Sequence, residues 1–98
     1  MLYVLRYEMA PGVSRERLVE LFPAHRASWT TYRADGTLVA IGPMEDPADG
    51  ALAVFTTRAA AEAFAHEDPF VVGGAVGSWQ VLGWREAIGI LPAGATDA

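Results

Sequence analysis

Two segments in the middle of the chain are apolar on both of the faces that a strand would present. Residues 37–42 read Thr-Leu-Val-Ala-Ile-Gly, and residues 51–56 read Ala-Leu-Ala-Val-Phe-Thr. A strand without polar alternation needs cover on both of its faces. Pro43 ends the first segment, and the acidic stretch 44–50 predicts a hairpin loop between the two. The chain is therefore expected to form a sheet with apolar cover on both sides.

Two further strand patterns lie at the ends of this sheet-forming region. Residues 2–8 alternate between two faces, and residues 78–86 read as the last strand. The apolar, glycine-rich stretch 71–77, which precedes the last strand, is expected to be a flexible loop. Together with the two central segments, these patterns predict four strands.

The first helix is predicted to begin at Ser14, a favourable N-cap residue. Pro23 lies inside this pattern and is expected to kink or break the helix, because proline removes one backbone hydrogen bond. His25 shares a helical stripe with large apolar residues, so it should point into the core or into a pocket. The stripe consists of Leu18, Leu21, Phe22, His25, Trp29 and Tyr32.

A second, alanine-rich helix is predicted from Thr57, its N-cap, to about Ala65. It ends at the corner formed by residues 66–70, His-Glu-Asp-Pro-Phe, the densest group of ionisable side chains in the chain. A residue that precedes proline is pushed out of the helical region into an extended conformation. Asp68, which precedes Pro69, should therefore lie on a bent, extended corner rather than on a solvated helix face.

The resulting order, β-α-β-β-α-β, is typical of an α+β fold with one antiparallel four-stranded sheet and both helices on one face. Two helices cannot also cover the second apolar face, so the missing cover is expected to be a second copy of the chain. The apolar content of 52%, above the usual ~45–50%, favours such a subunit interface. We expect one domain over residues 1–91, a disordered tail at 92–98, and a homodimer or a higher oligomer.

Charge and composition exclude several partners. The net charge is −5 and the basic residues are scattered arginines, a poor pattern for nucleic-acid binding. No apolar run approaches the ~18 residues of a membrane span. The chain has no cysteine and lacks the order of a signal peptide, which together favour the cytoplasm. No glycine-rich phosphate loop is present, and we expect no cofactor.

Several short motifs, taken in order, resemble the YCII-related (YciI-like) family over about residues 1–86. They are His25-Arg26, Gly42-Pro43, Asp46 with Gly50, Asp68-Pro69-Phe70, and a last strand that ends near Trp84. The resemblance implies a ferredoxin-like fold that dimerises as an α+β barrel, with an active site on His25 and Asp68. One branch of the family removes chloride from a chlorinated aromatic diol or triol. The fold is also close to muconolactone isomerase and small monooxygenases, but fold kinship does not transfer a reaction.

A His25–Asp68 pair has a clear chemical use. A carboxylate bonded to one ring nitrogen fixes the tautomer and leaves the other nitrogen to accept a proton. General acid–base catalysis of this kind contributes roughly 10²–10⁴-fold. The first hypothesis is a cofactor-free lyase or isomerase that acts on a small, aromatic or enol-type substrate. The alternatives are a non-catalytic metabolite-binding or sensory module, and a buried histidine with a purely structural role.

Four residues near the pair are candidates for substrate binding. They are Ser28, Trp29, Pro43 and Phe70. The aromatic candidates are more often core residues than stacking groups, and Phe70 has the stronger claim because it follows Asp68. His66 could be imagined as a metal ligand with His25 and Asp68, but we interpret it as a helix-end residue and expect no metal site.

Overall fold

The computed structural model describes residues 1–88 and confirms the ferredoxin-like βαββαβ architecture. The four strands form one antiparallel sheet in the order β2-β3-β1-β4. The elements are β1 (Leu2–Met9), α1 (Arg15–Ala34), β2 (Leu38–Pro43), β3 (Ala51–Phe55), α2 (Arg58–Glu67), α3 (Pro69–Val72) and β4 (Val76–Trp84). The predicted tail at 92–98 lies outside the described residues, as does the end of the predicted domain.

Both predicted helix caps are confirmed. Ser14 Oγ accepts a hydrogen bond from the Arg17 N–H at 3.1 Å, and Thr57 Oγ1 accepts one from the Ala60 N–H at 3.1 Å. A kink or a break was predicted at Pro23; the predicted break is wrong, because α1 runs unbroken through this residue. A proline removes one backbone hydrogen bond, and the remaining hydrogen bonds of the 20-residue helix hold the segment together.

The stretch after Asp68 is more ordered than the sequence suggested. Residues Pro69–Val72 form the short helix α3, and β4 already begins at Val76, so the prediction of a flexible loop at 71–77 is wrong. The physical reason lies in the start of α3: Asp68 caps it and proline occupies its first turn. Gly73 then lets α1 pack closely, since an added Cβ would lie 2.9 Å from Leu21 Cδ2.

The core lies between the sheet and the helices. The largest apolar side chains that are fully buried are Leu5, Phe55 and Phe64, one each from β1, β3 and α2. Alanines at positions 61 and 65 allow α2 to approach the sheet closely, as the alanine-rich pattern predicted. Among the described residues, no helix combines the length and apolarity that a membrane span requires.

The opposite side of the sheet carries no helix of the described chain. We call it the open face, and its large apolar residues are Leu2, Val4, Leu52, Val54, Leu82 and Trp84. Leu82 is 42% exposed and Trp84 is 49% exposed, although the register places both beside strand β1. The strands are therefore apolar on both faces, and this chain covers only one of them.

Candidate active site

His25 and Asp68 meet on the helical side of the sheet. His25 Nδ1 lies 2.6 Å from Asp68 Oδ1, although the residues are 43 positions apart in the chain. The imidazole is buried, and Asp68 is fully buried. Helix α1 presents the histidine, and the junction of α2 and α3 presents the carboxylate. The contact predicted from the helical stripe and the Asp-Pro corner is confirmed.

The carboxylate of Asp68 accepts hydrogen bonds on both oxygens. Oδ1 accepts from His25 and, at 3.0 Å, from the backbone N–H of Phe70. Oδ2 accepts from the Tyr7 hydroxyl at 2.5 Å. The backbone at Asp68 is extended, with φ −61° and ψ 124°, as expected for a residue before proline. Three donors from three elements therefore fix this side chain.

Tyr7 is the member of this network that sequence reasoning missed. Strand alternation placed it on the same face as Tyr3 and Leu5 but gave no partner for its hydroxyl. Burial, and then the negative charge of Asp68, raise the pKa of Tyr7 above its ordinary value. The phenol therefore stays protonated and continues to donate to the carboxylate. A tyrosine on a buried strand face was the available signal, because a buried hydroxyl needs a partner.

The surroundings of the imidazole define its tautomer. Because Asp68 accepts from Nδ1, the hydrogen-bond network assigns the proton of the neutral ring to Nδ1 and leaves Nε2 as an acceptor. The indole N–H of Trp29 donates to Nε2 at 3.3 Å. The ring of Phe70 stacks on the imidazole, with centroids 3.9 Å apart and an interplanar angle of 10°. The imidazole is thus held in one orientation.

A cavity of about 660 Å³ extends from His25 between α1 and the strands β1, β2 and β3. This volume falls within the ~300–1,000 Å³ range of small-molecule sites. The lining is mainly apolar, and the His25–Asp68–Tyr7 network lies at one end of it. Pro43 and Phe70, both predicted to bind substrate, line the cavity together with His25 and Tyr7.

The other predicted site residues lie elsewhere. Ser28 does not line this cavity, and its hydroxyl donates to the backbone carbonyl of His25 at 2.5 Å. Trp29 contacts the imidazole but is also absent from the cavity wall. Substrate binding by these two residues stays a prediction. His66 packs edge-on against Trp79, with centroids 5.2 Å apart, and does not join the His25–Asp68 pair.

The fold and site together define a small ferredoxin-like α+β protein with a buried His–Asp pair beside an apolar cavity. The YCII-related domain matches residues 1–85. The chain therefore belongs to the YCII-related family, as its motifs indicated.

The chain is similar in fold to solved structures, and one of them matches over most of its length. It is 5-chloro-2-hydroxyhydroquinone dehydrochlorinase from Burkholderia phenoliruptrix, in complex with 2,5-dihydroxybenzoquinone. The match covers 87% of this chain and 94% of that chain, with a TM-score of 0.69 and 22% sequence identity. At this identity the likeness concerns the fold. A comparison with curated proteins gave no match.

Proposed function

We propose that this protein is a small lyase that catalyses a cofactor-free, acid–base elimination on a phenolic or enolic substrate. The observation that carries the proposal is the 2.6 Å contact between His25 Nδ1 and Asp68 Oδ1 at the end of an apolar cavity. A buried pair of this kind suits proton transfer, because the carboxylate stabilises the imidazolium that forms. An isomerisation begins with the same proton abstraction and is the nearest related reaction.

In this mechanism, Nε2 of His25 accepts a hydroxyl proton from the substrate. The indole N–H of Trp29 lies 3.3 Å from Nε2 in this structure. The substrate hydroxyl replaces it as the donor to Nε2, or donates to Nε2 alongside it. Asp68 keeps the ring oriented through Nδ1, and Tyr7 holds Asp68 in turn. The lining of the cavity is mainly apolar, which lowers the local dielectric constant and strengthens each of these charge interactions.

Dehydrochlorination of a chlorinated aromatic triol illustrates the chemistry. The keto tautomer of such a triol carries hydrogen and chlorine on one tetrahedral carbon. Removing the proton of a conjugated hydroxyl turns the O–H electron pair into a new C=O bond, the ring double bond shifts, and chloride leaves with its bonding pair. One proton and one chloride are released per quinone formed. The reaction needs no external oxidant, because the chloride takes the electron pair.

The proposal predicts that the purified protein releases chloride from 5-chloro-2-hydroxyhydroquinone faster than buffer does. Chloride would be measured with a selective electrode, and the hydroxyquinone by its visible absorbance, under argon to prevent air oxidation. Elimination yields one chloride per quinone, and heat-denatured protein serves as the control. A rate equal to that of the denatured control would count against this substrate class. Binding of 2,5-dihydroxybenzoquinone without any turnover would instead favour the alternative below.

A second candidate is a metabolite-binding or sensory module that uses the same cavity without turnover. The contact between Trp29 and Nε2 of His25 favours it, because the nitrogen that must accept the proton already accepts a hydrogen bond. In that case the His–Asp pair would present a fixed polar group to a ligand rather than move a proton.

We further propose that the chain forms a homodimer through the open face. Exposed Leu82 and Trp84 beside Val4 and Val54 form an apolar surface of the kind that obligate interfaces bury. Sedimentation should give about twice the chain mass of 10.5 kDa. Leu82→Asp should give a folded monomer, whereas Val72→Asp, a comparable change at a 73% exposed position on α3, should not. A wild-type monomer would contradict this assembly.

A further inference from the structure

The cavity is polar at two ends and apolar between them. Along α1, its wall runs from Arg15 through Leu18, Val19 and Phe22 to His25. These residues share one helix face, because Leu18 and Val19 lie side by side and each is three or four positions from Arg15 and from Phe22, with His25 three positions further on. Ten residues of α-helix span about 15 Å, so Arg15 and His25 mark opposite ends of this wall. The middle of the wall has no polar group.

The charges that line the cavity differ in how they are engaged. Within residues 1–88, the Arg15 guanidinium makes no ion pair or hydrogen bond. Asp46, the carboxylate on the cavity wall, accepts a hydrogen bond from the Ala48 N–H at 3.0 Å and so caps a short 3₁₀ helix, Pro47–Asp49, between β2 and β3. The cation is therefore available to a ligand, while the carboxylate is already used by the fold.

Large apolar side chains near Arg15 are incompletely covered. Val19 is 63% exposed and Phe22 is 43% exposed, although both belong to the cavity wall. A flat apolar ligand body would remove this surface from water. The concave shape and the 660 Å³ volume suit a small molecule.

We propose that the cavity selects an elongated aromatic or enolic monocarboxylate, with its carboxylate on Arg15 and its acidic hydroxyl at His25. This inference rests on the proposed function, because it takes His25 as the reacting end of the site. Arg15 is then a specificity-determining residue that touches the substrate away from the reacting atoms. Arginine suits this role because its planar guanidinium binds a carboxylate through two parallel hydrogen bonds.

The test compares two ligands that differ in one charge. The ligand 4-hydroxycinnamate has a phenol and a carboxylate at opposite ends of a conjugated apolar body, and its methyl ester lacks the charge. Titration calorimetry at low salt should show about three- to tenfold tighter binding of the anion to the wild type, since an accessible charged pair is partly screened. Arg15→Gln should remove this preference and leave the affinity for the ester unchanged.

Two further variants separate a specific contact from a general charge effect. Arg15→Lys should retain part of the preference for the anion, because the positive charge remains but the planar guanidinium with its two parallel hydrogen bonds is lost. Arg33→Gln makes the same charge change on α1 at a residue that does not line this cavity, and it should retain the full preference. Raising the salt concentration should narrow the difference between anion and ester in the wild type.

Equal affinities of the wild type for anion and ester, or no binding of either, would overturn the inference. It would also be overturned if Arg15→Gln lowered the sedimentation mass, because Arg15 would then serve a contact between copies of the chain. Failure of the proposed function looks different: the anion would bind through Arg15, but no elimination substrate would turn over. Conversely, turnover of the chlorinated triol together with equal binding of anion and ester would remove this inference and leave the lyase proposal standing.

Discussion

Replacing Asp68 by Ala is expected to lower the free energy of unfolding by about 3–5 kcal/mol, a large part of a typical total of about 5–15 kcal/mol. The substitution leaves three donors without an acceptor: the Tyr7 hydroxyl, His25 Nδ1–H and the Phe70 N–H. It also removes the cap of α3 and opens a void at a fully buried position. Urea unfolding followed by circular dichroism measures the loss.

The neighbouring residue supplies a matched control. Glu67 is exposed and accepts one hydrogen bond from Tyr32, so Glu67→Ala should cost about 0.5 kcal/mol or less. Asp68→Asn should fall between the two, because its amide oxygen can still accept from His25 and Phe70 but its NH₂ group cannot accept from Tyr7. If Asp68→Ala fails to fold, Asp68→Asn still provides a measurable loss of unfolding free energy. Losses equal to that of Glu67→Ala in both variants would contradict a structural role for this network.

The sequence predicted those parts of the fold that depend on local signals. Strand alternation, the caps at Ser14 and Thr57, and the Asp68-Pro69 corner each act within a few residues, and the structure confirms each of them. The His25–Asp68 contact could be anticipated because a polar residue in an apolar stripe needs a buried partner. The extended corner before Pro69 was the place in the chain where a carboxylate was expected to face inward.

The errors arose where one local signal was weighed without the other local signals around it. Pro23 carries a strong helix-breaking signal, but α1 continues through it because the loss of one hydrogen bond does not interrupt a 20-residue helix. The glycines after Val72 suggested a loop, whereas Asp68 and Pro69 start a short helix just before them. In both cases a single helix-breaking or loop-forming residue type was given more weight than the helix signals beside it.

The polar partners of the site could be predicted only in part. Tyr7 reaches Asp68 from 61 positions away, and its role depends on how β1 lies beside the α2–α3 junction. The assignment of Trp29 to substrate binding rested on its place in the helical stripe. In the structure its indole N–H faces His25 Nε2, a contact that depends on side-chain rotamers. The sequence indicated the His25–Asp68 pair, and the three-dimensional structure added the groups that orient it.

His25→Asn is expected to reduce the rate of chloride release from 5-chloro-2-hydroxyhydroquinone by roughly 10²–10⁴-fold, the usual contribution of a general base. Asparagine is the informative substitution because its NH₂ group can occupy the position of Nδ1 and donate to Asp68. The carboxylate then keeps its partner, while the acceptor at Nε2 is lost. The free energy of unfolding should therefore fall much less than in Asp68→Ala. Initial rates, calorimetric affinity for 2,5-dihydroxybenzoquinone and urea unfolding measure the three quantities separately.

Trp29→Phe separates the two functional hypotheses further. It removes the indole N–H from His25 Nε2 and keeps an aromatic ring at the 5.5 Å contact with the imidazole. A base that must accept a proton should lose no activity when this competing donor disappears, so the variant should turn over at least as fast as the wild type. A binding module that relies on a fixed imidazole should instead lose affinity for 2,5-dihydroxybenzoquinone in both Trp29→Phe and His25→Asn. In that case neither the wild type nor the variants would release chloride. If His25→Asn changes stability alone and leaves both rate and affinity untouched, the imidazole serves the fold and the lyase proposal fails.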